Sequence, residues 1–188
     1  TSMLPGMAKS SNLSSGTDVI VDESYHATSV LKANKFNQYA KDEGLTEILA
    51  HREARGQNDI AGKELYSRKA KTIVQVGEAI TDNALKPIGH TLEIVPLEHP
   101  YKLSDNTLSV QVLFKGKPLN NALIDAVSLV DHSAKVQAIQ TDSEGKATFK
   151  LNVEGPVMLN TIWAVPLTNS SAADFETYFS SLTFEYVL

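Results

Sequence analysis

Cysteine is missing altogether from these 188 residues. Its absence removes thiolate zinc sites, disulfide staples and thiol catalysis. It leaves the compartment open, since an exported protein can do without disulfides. No apolar run approaches the roughly eighteen residues needed to span a bilayer as a helix. Positive charge is also short. Seventeen basic residues against twenty-two acidic give −5, with eleven of each sign in residues 1–88 and six against eleven in residues 89–188. A general nucleic-acid binder shows the reverse, a clustered basic surplus. There is no G-x-S-x-G nucleophile elbow and no Walker or dinucleotide fingerprint. No signal peptide opens the chain, and "TSML" reads as a trimmed end from which a targeting segment has been removed.

What is present divides into three parts. Residues 1–17 are Ser/Gly-rich without periodicity and read as a loop or disordered arm. Residues 18–88 read as a partial N-terminal domain, the remnant of a second β domain with two or three helices. A short strand covers Val19 to about Asp22. Phe36, Tyr39 and Ala40 then recur at helical spacing up to Gly44. Leu45, Ile48 and Leu49 continue in a second helix, with Arg52, Arg55 and Gly56 as its stop signal. A third short helix is expected from Asn58 or Asp59 through Tyr66. It hands over at Lys71 to a strand in which Lys71, Ile73 and Gln75 alternate with Thr72, Val74 and Val76.

Residues 89–188 read as about seven strands: 91–95, 107–114, 123–130, 135–140, 147–151, 157–165 and 182–187, separated by Gly, Pro, Asn and Asp turns. In 107–114, Leu108, Val110, Val112 and Phe114 share one face, the pattern of a half-buried antiparallel strand. The fold expected is mainly β, an antiparallel Greek-key sandwich of transthyretin-like or immunoglobulin-like type behind a short helical segment. "TDSEGKATFKL" reads as a hairpin with Gly145 in the left-handed position. It lacks the alternating acidic ligands of a calcium loop. Phe175, Tyr178 and Phe179 are spaced as a short helical turn resting on the sandwich.

"GHTLEIVPLEHP" (89–100) places His90, Glu93, Glu98 and His99 within twelve residues. Imidazole and carboxylate together suit Ni²⁺, Co²⁺ or Zn²⁺. His90, Glu93 and His99 are therefore the candidate metal ligands. His90 and Glu93 fall on opposite faces of a strand, so a site needs a partner from elsewhere, His51, His26 or His132. Carboxylate pairs for hydrolysis would have to come from Asp125 with Asp131 or Asp142 with Glu144, which read as turn and rim residues. No enzyme is expected. Arg68, Lys69 and Lys71 form a basic cluster and, with Tyr178, are the candidate ligand or interface residues.

Taken in order, "KFNQYAKDEGLTEILAHREARG", "ELYSRKAKTIVQVG", "GHTLEIVPLEHPY", "VQVLFKGKPLNNALI", "TDSEGKATFKL" and "DFETYFSSLTFEY" resemble the DUF4198 family. The "TDSEGKATFKL" part is also similar to transthyretin-like and carboxypeptidase-associated sandwiches. The family resemblance implies exported bacterial proteins, some described as periplasmic components of cobalt or nickel uptake. It therefore implies periplasmic residence, possible nickel or cobalt as cofactor, an envelope protein or transporter component as partner, and no enzymatic activity. Members usually begin with a further β-rich segment opening on a histidine, which this chain lacks. They also commonly carry tryptophan where Phe175 and Phe179 stand. His90 is the family-pattern histidine that remains. The alternative reading is a sandwich that binds a protein partner or envelope glycan without metal.

Overall fold

The structure is a computed structural model that describes residues 15–130, 135–152, 154–168 and 170–186. Eleven strands are ordered along the described chain, with two helices between the second and third. Strands β1 (Gly16–Glu23) and β2 (Ala27–Leu31) both pair antiparallel with β3 (Gly62–Val76), β2 along its first part and β1 along its last. Helices α1 (Ala33–Asp42) and α2 (Thr46–Ala54) bury Phe36, Ala40, Leu45 and Ile48 at helical spacing. Gly44, at φ +68°, ends α1, and the Leu45 N–H reaches back to the Ala40 carbonyl at 2.8 Å. Gly56 ends α2 in the same left-handed conformation.

Strands β4 (Leu92–Pro96), β5 (Thr107–Phe114), β6 (Lys117–Pro118) and β9 (Lys146–Lys150) make one four-stranded antiparallel sheet. Strands β7 (Leu123–Ser128), β8 (Lys135–Gln140), β10 (Gly155–Pro166) and β11 (Phe175–Tyr186) join β1, β2 and β3 in a seven-stranded sheet. The order across it is β1-β3-β11-β10-β7-β8. The two sheets pack face to face over Ile73, Leu92, Ile94, Leu108, Phe149 and Leu182, all nearly solvent-free. On the opposite face of the larger sheet, α1 and α2 cover Ile162, Ala164 and Phe175. The protein is therefore mainly β and sandwich-like, as its alternating strand pattern implies.

Four points differ from the sequence reading. β3 and β11 pair in parallel, with Phe175 opposite Glu64 and Thr183 opposite Thr72, so the larger sheet is mixed. Strand pairing therefore runs across residue 88, and the sheet takes members from both sides of it. The stretch read as a third helix is strand from Gly62 onward, because its backbone is drawn into pairing with β2 on one side and β11 on the other. Phe175–Phe179 is strand as well: Phe175 stacks on Phe36 under the helices while Tyr178 points between the sheets. Tertiary burial decides both cases against local spacing.

The hairpin at 142–146 forms as expected. Asp142 Oδ1 accepts the Glu144 and Lys146 N–H groups at 2.8 and 2.9 Å. Gly145 sits at φ +72°, and a Cβ there would lie 2.7 Å from the Val112 carbonyl oxygen. Among the carboxylates weighed for hydrolysis, Asp125 is a buried residue within β7 and not a rim residue, while Asp131 lies outside the described residues.

Candidate functional site

The inward face of β3 is unusual for a sandwich. From its midpoint it presents Ser67, Lys69, Lys71 and Ile73 in alternation, all buried. Two of four inward positions are lysines, each only 3 % exposed. Charges taken from water cost several kcal/mol each unless they are closely paired, so their partners decide what this region is.

Lys71 is closed off. Its Nζ donates to Glu93 Oε1 at 2.9 Å, and Glu93 is 1 % exposed. The loop before β4 completes the carboxylate shell: the Ile88 N–H donates to Oε1 at 2.8 Å and the Gly89 N–H to Oε2 at 2.9 Å. Burial alone pushes the Glu93 carboxyl up, but these two N–H groups and Lys71 more than offset it and hold it below its ordinary value. Burial depresses Lys71, and Glu93 restores part of the loss.

Lys69 is held differently. Its Nζ donates to Ser67 Oγ at 3.0 Å and to Glu23 Oε1 at 2.6 Å. The Glu23 side chain is 54 % exposed, at the end of edge strand β1. Its carboxyl is held low, chiefly by the Lys69 hydrogen bond. His90, 8 % exposed, stands within electrostatic reach of Glu93, Glu23, Lys71 and Lys69. Burial pushes its imidazole down, so the neutral ring is favoured. Its Nδ1 is buried without a hydrogen-bond partner.

The candidate metal ligands do not assemble. His90 and Glu93 are neighbours, but His99 belongs to another network. Its Nδ1 accepts the Tyr101 N–H at 3.3 Å and its Nε2 meets Thr17 Oγ1 at 3.1 Å, so both ring nitrogens are taken. His26 pairs with Glu176 at 3.1 Å, and His51 lies edge-on to Phe175. His132 is outside the described residues. Among the described residues no group of three or more His, Asp or Glu side chains is placed to hold a metal ion. Among the described residues, His90, Glu93 and His99 therefore do not come together as a nickel or cobalt site.

The basic cluster is divided by the strand's alternation. Lys69 and Lys71 point between the sheets, whereas Arg68 is on the outside, its guanidinium 4.9 Å from the Phe179 ring centre. Arg68 borders a shallow depression of about 310 Å³ on the outer sheet face, with Asp22, Met158, Asn160 and Phe179. Tyr178 is buried, its ring edge-on to Phe114 at 5.3 Å.

The sequence reading missed three participants: Glu23, Ser67 and the exposed edge of the larger sheet. β1 and β2 lie at its margin, and no strand among the described residues pairs with their outer side. Ile20, Val21, Tyr25 and Val30 are exposed there. The Val and Ile run of "DVIVDE" carried that signal, since apolar side chains on both faces of a strand imply neighbours on both.

These features define a β-sandwich with a polar inter-sheet cluster and an open strand edge. The family model of DUF4198, a domain of unknown function, matches residues 7–165, and the chain belongs to that family. No curated protein and no solved structure matches it. None of the helices in the described residues is long and apolar enough to cross a membrane.

Proposed function

We propose that this chain is a non-enzymatic binding or accessory protein of the cell envelope that takes up an extended segment of a partner protein at the β1–β2 edge. The observation that carries this reading is the edge itself. It offers backbone donors and acceptors beside exposed Ile20, Val21 and Val30, the conditions for strand addition. The periplasmic setting belongs to the proposal and follows from the family likeness.

Charge selects the occupant. Asp18 and Asp22 flank Ile20 on the outer face of β1, and Glu23 closes the strand. A second copy pairing antiparallel about Ile20 would set Asp18 against Asp22, and like charges directly opposed are destabilising. The edge therefore suits a strand that alternates basic and β-branched residues. Metal plays no part in this reading, because His90, Glu93 and His99 do not meet.

The test is fluorescence anisotropy with a labelled peptide of about ten residues alternating lysine and valine, beside a glutamate–valine control. The lysine peptide is expected to bind, and the double substitution Asp18→Lys, Asp22→Lys to weaken it by about tenfold or more. Equal binding of both peptides, or no change on charge reversal, would refute the proposal. So would a stable dimer in sedimentation whose interface is this edge.

A further inference from the structure

The cluster between the sheets contains an asymmetry that structural pairing does not explain. Lys71 and Lys69 lie two residues apart on the same face of β3 and are equally buried. Lys71 has a counter-ion that cannot leave, since Glu93 is buried and tied by two backbone N–H groups. Lys69 has one that can. Glu23 is half in solvent, on an edge strand, and its carboxylate meets the Lys69 ammonium at 2.6 Å. Within electrostatic reach of both, His90 buries a ring nitrogen, Nδ1, that meets no partner. Buried polar atoms are almost always satisfied, so an unsatisfied one is a candidate contact for a further group.

We infer that Lys69, Ser67 and His90 form a seat for an external oxyanion, a carboxylate in the first instance, which the Glu23 side chain occupies in the free protein. The chemistry follows from charge balance. With Glu23 in place the cluster holds two ammonium groups, two carboxylates and a neutral imidazole. If Glu23 swings outward, Lys69 stays buried with only the Ser67 hydroxyl, so a group of the same charge must enter as it leaves. A carboxylate or phosphate oxygen can accept from Lys69 Nζ and, with His90 in its Nδ1–H tautomer, from the unpartnered ring nitrogen. Glu23 then acts as a tethered competitor, whose high effective concentration keeps adventitious anions out. The acid that enters is either a free small molecule or a carboxylate presented by a bound chain; the seat reads the same group in both.

The test titrates the ¹⁵N-labelled protein with sodium acetate and, separately, sodium phosphate, using sodium chloride at matched ionic strength as control. In Glu23→Gln the competitor's charge is removed while its shape is kept. Acetate is expected to shift the amides of Ser67 and Lys69 and the His90 Nδ1 resonance, with an apparent Kd at least about tenfold below that of the unsubstituted protein. Adding Lys69→Met to Glu23→Gln is expected to abolish the response. A phosphate response of equal strength assigns the seat to oxyanions in general, and a response to acetate alone assigns it to carboxylates. The inference fails if Glu23→Gln responds to neither salt beyond the chloride control, or if the Lys69→Met background still responds. Asp18 and Asp22, whose reversal tests strand addition, are untouched in these variants, so failure of the seat leaves that reading standing.

Discussion

Replacing Glu93 by Gln separates the two halves of the buried pair and can be worked through in numbers. The substitution keeps the side-chain shape but leaves the Lys71 ammonium without a counter-ion, and turns an amide N–H₂ toward groups that donate from Lys71, Ile88 and Gly89. Breaking a buried pair from one side typically costs about 3–5 kcal/mol. The lysine sets its own ceiling, because it can lose its proton. For an ordinary lysine pKa of about 10.4, deprotonation at pH 7 costs about 4.6 kcal/mol at about 1.36 kcal/mol per unit. The charge term in Glu93→Gln therefore cannot exceed that value, and it shrinks by about 1.36 kcal/mol for each unit of pH above 7. By pH 9 it is at most about 1.9 kcal/mol. Urea unfolding followed by far-ultraviolet circular dichroism at pH 7 and pH 9 reads both figures. The double variant Glu93→Gln, Lys71→Met removes the stranded charge and is expected to recover most of the loss. A cost below about 1 kcal/mol at pH 7, or a penalty that does not shrink with rising pH, would refute the assignment of Lys71 and Glu93 as a closed buried pair.

Gly62→Ala is expected to destabilise the protein by about 1–3 kcal/mol, since the added Cβ would lie 2.3 Å from Phe36 ring carbons; thermal unfolding reads this, and trimming the ring in Phe36→Leu should reduce the penalty. His90 contributes a pH dependence of definite sign. Its folded pKa lies below the ordinary 6.5, so the unfolded chain takes the proton first. Stability from the neutral ring is complete above about pH 6.5 and declines as pH falls below it. His90→Gln should flatten that decline in unfolding experiments between about pH 7 and pH 5. Arg52→Met should cost about 2–4 kcal/mol, because the buried guanidinium donates to the Gln57 and Ile60 carbonyls at 2.7 and 2.5 Å and to Asn37 Oδ1 at 3.0 Å; urea unfolding measures the loss.

Local chemistry made several elements legible in the sequence. The two glycine-terminated helices, the strands around Leu108–Val112 and the Asp142–Gly145 turn depend on neighbours within a few residues, and all three stand in the structure. Non-local pairing was not legible. The helical spacing of Phe175, Tyr178 and Phe179 was a coincidence of two faces, one packed under α1 and α2 and the other between the sheets. Alternation from Lys71 to Val76 announces a strand but does not say which face turns inward, and the lysine face does. Among the site residues, His90 and Glu93 were expected on opposite faces of one strand, but His90 precedes β4, and both are buried within electrostatic reach of each other. Their third neighbours, Lys71 and Glu23, come from strands whose register only the assembled sheet determines.

The parallel pairing of β3 with β11 has a consequence for how the chain reaches this state. β11, the last described strand, lies near the middle of the larger sheet, between β3 and β10. Residues 62–76 must wait for residues 175–186, with the whole smaller sheet lying between them in sequence. Contacts of such long separation slow folding. Before that pairing forms, Lys69 and Lys71 are ordinary solvated charges on an open strand flank. The same charges that are costly between the finished sheets are, on an open flank, of the kind that opposes edge-to-edge aggregation.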